Sequence, residues 1–329
     1  MTRTIFFKNQ PRIVGTSSVA GPKECAGSIK EYIQTKLEND DYGEKSFEKA
    51  ESRMLYTAIK NSIINAKRKE DEIDAIVAGD LLNQITSSTF ATRNFSVAYL
   101  GVYNACATFT EALTVGAMLV DGKYMNNVVC ATSSHFASAE RQYRYPLELG
   151  CTRPPQSQWT VTGAGSCVLS ANGTGPKITC ATIGKIVDYG VTDANNMGAA
   201  MAPAAADTIL RHFKDTGLAP SDYDLIASGD LGALGSRILK DLVWEKGVNL
   251  EKRHVDCGEL VYNLIESEFQ GGSGAGCSSL VFSSYLYTKM KEKKIKRLLL
   301  VATGALLSST SSQQGESIPG IAHAVSMEV

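Results

Sequence analysis

The sequence predicts a mixed α/β fold made of two copies of one plan. Short apolar, β-rich runs alternate with amphipathic helical stretches, the pattern of buried strands covered by helices. Residues 74–80 (DAIVAGD) return as residues 224–230 (DLIASGD), 150 positions later, each followed by a leucine. Residues 128–133 (VVCATS) return as residues 299–304 (LLVATG), 171 positions later. Two matched strand ends in the same order argue for an internal duplication. The two offsets differ by 21 residues, which implies an insertion in the second copy between Leu231 and Gly276. The expected halves are 1–175 and 176–329, joined near 173–176.

Each element has its own reason. Residues 46–67 predict a helix, because Met54, Leu55, Ala58, Ile59, Ile63 and Ala66 form one apolar stripe with Lys and Glu opposite. Residues 74–80, 97–103 and 127–132 predict strands. Residues 106–120 predict a helix of small and apolar residues, ended by Asp121 and Gly122. In the second copy Pro203 is expected to start a helix, Ile209, Leu210 and Phe213 give it an apolar face, and Gly217 ends it. Residues 133–158 break the plan. They contain ERQYRYPLEL and RPPQSQ, and long ordered excursions are often functional.

Composition excludes several classes. The 33 Lys and Arg against 34 Asp and Glu leave a net charge of −1, which gives no general field for nucleic acid or an anionic membrane. At 43% hydrophobic and 20% charged the chain is a folded one. The eight cysteines have no knuckle spacing, so no structural metal is expected, and reduced, packed thiols are the simple reading. Lys8, Gln10 and Arg12 stand where a signal peptide needs an apolar run, and no run approaches a membrane span of ~20 residues. The expectation is a soluble protein without nucleic-acid partners.

Several residues are candidates for chemistry. Cys106 opens a helix, where the positive end of the helix dipole favours thiolate; alternatively it is a packed cysteine. His212 is expected at the surface, His254 in solvent and His323 in the core. His135 follows a strand end and is either a site residue or a satisfied structural histidine. Asp80 and Asp230 end the matched strands, where ligands bind in open α/β sheets, or else each caps a following helix. The glycine runs 163–165 and 271–276 lack a Walker ending, so close backbone packing is the default. Arg141 and Arg144, three apart, would share a helix face and could hold a carboxylate.

These residues carry a resemblance. Cys106 followed by a small-residue helix, the duplicated halves, and a late Gly-rich loop, helix and strand resemble the thiolase superfamily, especially ketoacyl-ACP synthase III. That resemblance implies a five-layer αβαβα fold and a homodimer. Within the superfamily, AGPKE (20–24), AGDLLNQ (78–84), ATSSHFASAERQYRYP (131–146), MGAAMAPAAADTI (197–209), GGSGAGCSS (271–279) and VATGALLS (301–308) resemble the stage V sporulation protein AD family. The resemblance runs from about Pro11 to the last residue. It implies a dipicolinic-acid-binding member of the machinery that moves this acid into the spore and releases it at germination. It also implies association with the spore inner membrane through membrane proteins of the same operon.

The departures from the synthases matter as much. Cys106 matches their nucleophile. Their histidine position falls in Ser228-Gly229-Asp230-Leu231 and their asparagine position in Gly272-Ser273-Gly274, and neither residue is present. The expectation is therefore a scaffold without catalysis whose cleft binds a ligand; the alternative is a condensing enzyme or acyltransferase using Cys106. The helix start at Cys106, the hydroxyls of Ser133, Ser134 and Ser273, and the cations His135 and Arg141 are the expected ligand contacts. Asp80 and Asp230 would hold a proton of the ligand or a bridging Ca²⁺. No resident metal or other cofactor is expected.

Overall fold

The computed structural model describes residues 2–144, 149–250, 252–262 and 270–329, so residues 145–148 of the expected excursion lie outside the described residues. The first half supplies strands β1 (Thr4–Phe6), β2 (Arg12–Ala20), β3 (Thr35–Lys36), β4 (Ala75–Gly79), β5 (Ala98–Gly101), β6 (Asn127–Ser134), β7 (Trp159–Thr160) and β8 (Gly163–Ser170). The second supplies β9 (Lys177–Thr182), β10 (Leu225–Ser228), β11 (His254–Asp256), β12 (Gly272–Ser273), β13 (Arg297–Ala305) and β14 (Gly320–Glu328). Helices α1 (Pro22–Cys25), α2 (Phe47–Asn65), α3 (Thr86–Thr92), α4 (Thr108–Asp121) and α5 (Phe136–Tyr143) belong to the first half. Helices α6 (Met197–Thr216), α7 (Gly232–Trp244), α8 (Cys257–Val261), α9 (Ala275–Val281), α10 (Tyr287–Lys291) and α11 (Ser309–Gln313) belong to the second.

The duplication is visible in the strand order. One run is β5-β4-β6-β8-β2 and the other is β11-β10-β13-β14-β9. They join at a single pair, Arg12 with Lys177. In each run the first three strands are parallel and the rest antiparallel. The repeats found in the sequence occupy equivalent places: 74–80 and 224–230 are β4 and β10, while 128–133 and 299–304 lie in β6 and β13.

Alternation along the strands builds the layers. In β13, Leu298 and Leu300 face a central core, whereas Leu299 and Val301 face an outer one. In β6, Val128 and Cys130 face the same central core and Val129 and Ala131 the opposite outer one. Helix α4 fills the centre, packing on β4 and β6 of one run and on β13 and β14 of the other. Helix α2 covers the first outer face and α6 the second. The result is helix, sheet, helix, sheet, helix, with the sheets' central strands buried on both sides.

Helix α2 agrees with its stripe: Ser46 caps it by accepting from Lys49 N, and all six stripe residues are buried. Helix α6 corrects two expectations. It starts at Asn196, whose side chain accepts from Ala199 N, so Pro203 lies inside the helix rather than at its start. Gly217 does end it, at φ +72°. His212 is fully buried, not at the surface. Its ring nitrogens meet Thr182 Oγ1 and Tyr223 OH at 2.8 and 2.7 Å, while its charged neighbours Arg211 and Asp215 pair with each other. His254 is half-buried on β11 and bonds Ser228 Oγ at 2.8 Å, which corrects its placement in solvent. Among the described residues no helix is long and apolar enough to cross a membrane.

Candidate functional site

Cys106 sits in the turn between β5 and α4, just before Ala107, the cap residue of α4. Ala105 is held at φ +50°, a left-handed conformation that costs about 1 kcal/mol or more for a residue with a Cβ. The turn reaches inward because β13 carries Gly304 beneath it. A Cβ there would stand 2.3 Å from Asn104 O and 3.1 Å from Ala107 N. Cys106 is thereby 5% exposed at the floor of a chamber.

Asp230, at the end of β10, faces this thiol. Gly274 N donates to its Oδ2 at 3.0 Å and Thr303 Oγ1 to its Oδ1 at 2.7 Å. The Cys106 thiol and the Ser273 hydroxyl stand close enough to favour its charged form. Gly274 offers its N–H from φ +111°, where a Cβ would collide with Ser134 Oγ at 2.6 Å. The 271–276 run is thus a close-packing device. Burial pushes Asp230 up to about 6. Burial first, then the Asp230 charge, pushes the Cys106 thiol well above its usual range. The dipole of α4 does not win here: dehydration and a neighbouring carboxylate both favour the protonated thiol.

The other expected residues are distributed as follows. Asp80 is fully buried and ties the start of α3, accepting from Leu82 N, Ser88 N and Ser88 Oγ at 2.8, 2.7 and 2.6 Å. In the second half that work falls to Asp256, which accepts from Leu231 N, Gly232 N and Ser228 Oγ. So the matched aspartates have diverged: one anchors a helix, and the other is free to face Cys106. Ser133 donates to the buried Glu51, and Ser134 donates to Val161 O at 2.6 Å. His135 caps α5: its Nδ1 accepts from Ala137 N at 3.1 Å and its Nε2 donates to Asp40 O at 2.9 Å. Arg141 lies at the surface against Glu48, so it shares no ligand face with Arg144. Of the expected set the structure brings together Cys106, Asp230 and Ser273.

Two adjoining spaces lie beside this cluster. The chamber over Cys106 measures about 30 Å³, room for about one water, and is lined by Leu81, Thr160, Met197, Ser273, Leu307 and Arg144. Outside it lies a cleft of about 520 Å³ with the neutral polar side chains Asn83, Gln84, Gln142, Ser308, Ser309 and Thr310. Tyr103 and Tyr143 line both spaces, and their hydroxyls are 3.2 Å apart. The sequence reading missed both tyrosines, Thr303 and Asp256. Tyr143 had a signal, since it lies in the 133–158 excursion. None of the four histidines lines the chamber, and among the described residues no cluster of three His, Cys, Asp or Glu could hold a metal.

A scaffold of two such halves, with a cysteine at the start of its central helix, has the thiolase-like fold. Solved structures agree in fold. The 3-oxoacyl-[acyl-carrier-protein] synthase III from Aquifex aeolicus VF5 is 15% identical, with 97% of this chain and 100% of that one covered at a TM-score of 0.58. Cerulenin-bound OleA of Xanthomonas campestris is 13% identical, with 99% and 100% covered at 0.59. The family model described as Stage V sporulation protein AD matches residues 1–328. The Stage V sporulation protein AD of Bacillus subtilis (strain 168) is 42% identical over 326 residues, 99% of this chain and 96% of the relative. The chain therefore belongs to the Stage V sporulation protein AD family, a family of sporulation proteins.

Two outcomes follow from the site's electrostatics. Burial raises Glu24 and Asp256 to about 7 and Glu51 to about 8, above their ordinary values, so the folded state binds protons that the unfolded state has released. Stability from such groups is present at low pH and lost as pH rises through the folded value. The buried His212, His254 and His323 are lowered to about 4 and oppose this, most strongly below about 6.5. Urea unfolding should therefore show stability falling by about 2 kcal/mol between pH 6.5 and 8, with Glu24→Gln removing about a third of that fall. Separately, Asp230→Asn should speed alkylation of Cys106 by iodoacetamide at pH 8 several-fold, read by intact mass.

Proposed function

We propose that the chain is a non-catalytic binding protein for dipicolinic acid, acting within a spore membrane complex that takes up this acid in sporulation and releases it in germination. The observation that carries this reading is the pairing of Cys106 with Asp230. A nucleophilic cysteine needs a base to take its proton and donors for the oxyanion. Asp230 and Ser273 occupy the segments where the synthases' histidine and asparagine are expected, and Asp230 favours the protonated thiol instead.

The cleft suits a small flat acid. Its hydroxyls and amides are neutral, so they accommodate a ligand whose charge is already partly balanced, such as the calcium chelate of dipicolinate. Calcium then arrives as cargo with the ligand. Asp80 has its carboxylate committed to Leu82 and Ser88, which argues against a calcium bridge between Asp80 and Asp230. The working form is a homodimer. Among the described residues strand β5 pairs on one side only and leaves Leu100 42% exposed, so its open edge can pair with a second copy beside the cleft. The chain reaches the spore inner membrane through membrane proteins of its complex.

Calorimetric titration with dipicolinic acid, with isophthalic acid as the control, tests this. Saturable heat with the first and none with the second is expected, and no heat with either would remove the reading. In a parallel incubation with acyl-CoA, intact mass should show an unmodified chain; an acyl adduct on Cys106 would favour a condensing enzyme.

A further inference from the structure

The duplication gives strand β2 a counterpart in the second half. Asp74 N donates to Asn127 O and Asp224 N to Arg297 O, so Asn127 corresponds to Arg297, 170 positions later and one fewer than the sequence match. Cys130 then corresponds to Leu300. Cys130 pairs with Cys167 and Cys167 with Thr16; Leu300 pairs with Val325 and Val325 with Ala181. Gly15, Thr16 and Ser17 of β2 therefore match Cys180, Ala181 and Thr182 of β9.

The two edges are covered differently. Strand β1 closes this stretch of β9, with Thr4, Ile5 and Phe6 opposite Thr182, Ala181 and Cys180. On the outer side of β2 other strands pair only with Arg12, Val19 and Ala20, so among the described residues no strand covers 15–17. A groove of about 550 Å³ lies there instead, lined by Gly15, Thr16, Ser17, Asn65, Tyr287 and Lys291 among others. It shares no lining residue with the chamber or the cleft.

Ser17 marks what is missing. In the second half the Thr182 hydroxyl meets Thr4 Oγ1 of β1 at 2.8 Å. The matching Ser17 hydroxyl is fully buried and has no hydrogen-bond partner among the described residues, which is costly for a buried polar group. The C=O of Thr16 faces outward, where Asn65 Nδ2 donates to it at 2.9 Å. Asn65 stands 150 positions before Asp215, whose carboxylate accepts from Arg3 N and Thr4 Oγ1 in the β1 segment. One exposed side chain thus serves an edge that a strand serves in the copy. We infer that the outer edge of β2 takes an extended segment of a partner protein as an added strand, antiparallel and in the register that β1 takes on β9.

The copy also gives the chemistry of the segment. A hydroxyl residue stands opposite Ser17, and an aliphatic residue opposite Thr16, as Ile5 does where it packs against the central core. Lys291 is the one charged side chain lining the groove among the described residues, so the segment carries acidic rather than basic side chains.

The probe is a fluorescent peptide with the β1 sequence TRTIFFK in which Arg and Lys are replaced by Glu. Anisotropy titration with the full chain should show saturable binding. The same peptide N-methylated at its isoleucine, which lacks the N–H aimed at Thr16, should not bind. Two variants change exposed side chains: Lys291→Glu should weaken binding about fivefold, and Asn65→Ala, which frees Thr16 O, should strengthen it about threefold. Hydrogen exchange read by mass spectrometry should slow at residues 15–17 on binding. No saturable binding, equal binding by the N-methylated peptide, or slowing at 180–182 in place of 15–17 would overturn the site. Unchanged binding by Lys291→Glu would overturn the acidic segment. Slower exchange at 15–17 as the chain alone is concentrated would place a second copy on this edge and overturn the partner protein.

Discussion

The carboxyl of Asp230 is held near the thiol of Cys106 by donors from Gly274 and Thr303. This contact depends on parts far apart in the chain: the end of β10, the 271–276 loop and β13. It sets the protonation of the thiol, because a buried carboxylate beside a buried sulfur favours S–H over S⁻. It also fixes the polarity of the chamber floor.

Duplication explains how such a contact can arise. Both halves end their first parallel strand with Gly-Asp, yet the two aspartates do different work. In the first half Asp80 secures α3. In the second, Asp256 on β11 secures α7, and Asp230 is released to face Cys106. One half supplies the thiol and the other the carboxyl, so the site forms only when the halves pack. The glycines at 274 and 304 permit that packing by letting backbone approach where a Cβ would collide.

Much of the fold was legible from residue pattern. The apolar stripe of α2, the buried strands and the repeat reflect local periodicity, and local periodicity survives in the folded chain. Pro203 misled because proline usually starts a helix, whereas here Asn196 supplies a cap about two turns earlier. His212 misled because its charged neighbours suggested solvent, but Arg211 and Asp215 satisfy each other while the imidazole turns inward. The site was legible only in part. Cys106 and Asp230 stood out at element ends. The role of Asp256, the tyrosine pair and the isolation of Arg144 from Arg141 depend on contacts made by distant segments, which leave no spacing signal.

The most direct measurement is a crystal structure of the chain grown with dipicolinate. The ring is predicted in the outer cleft beside Tyr103 and Tyr143, with Cys106 as a free thiol near Asp230. A ligand seated elsewhere, or an acyl group on Cys106 Sγ, would contradict it.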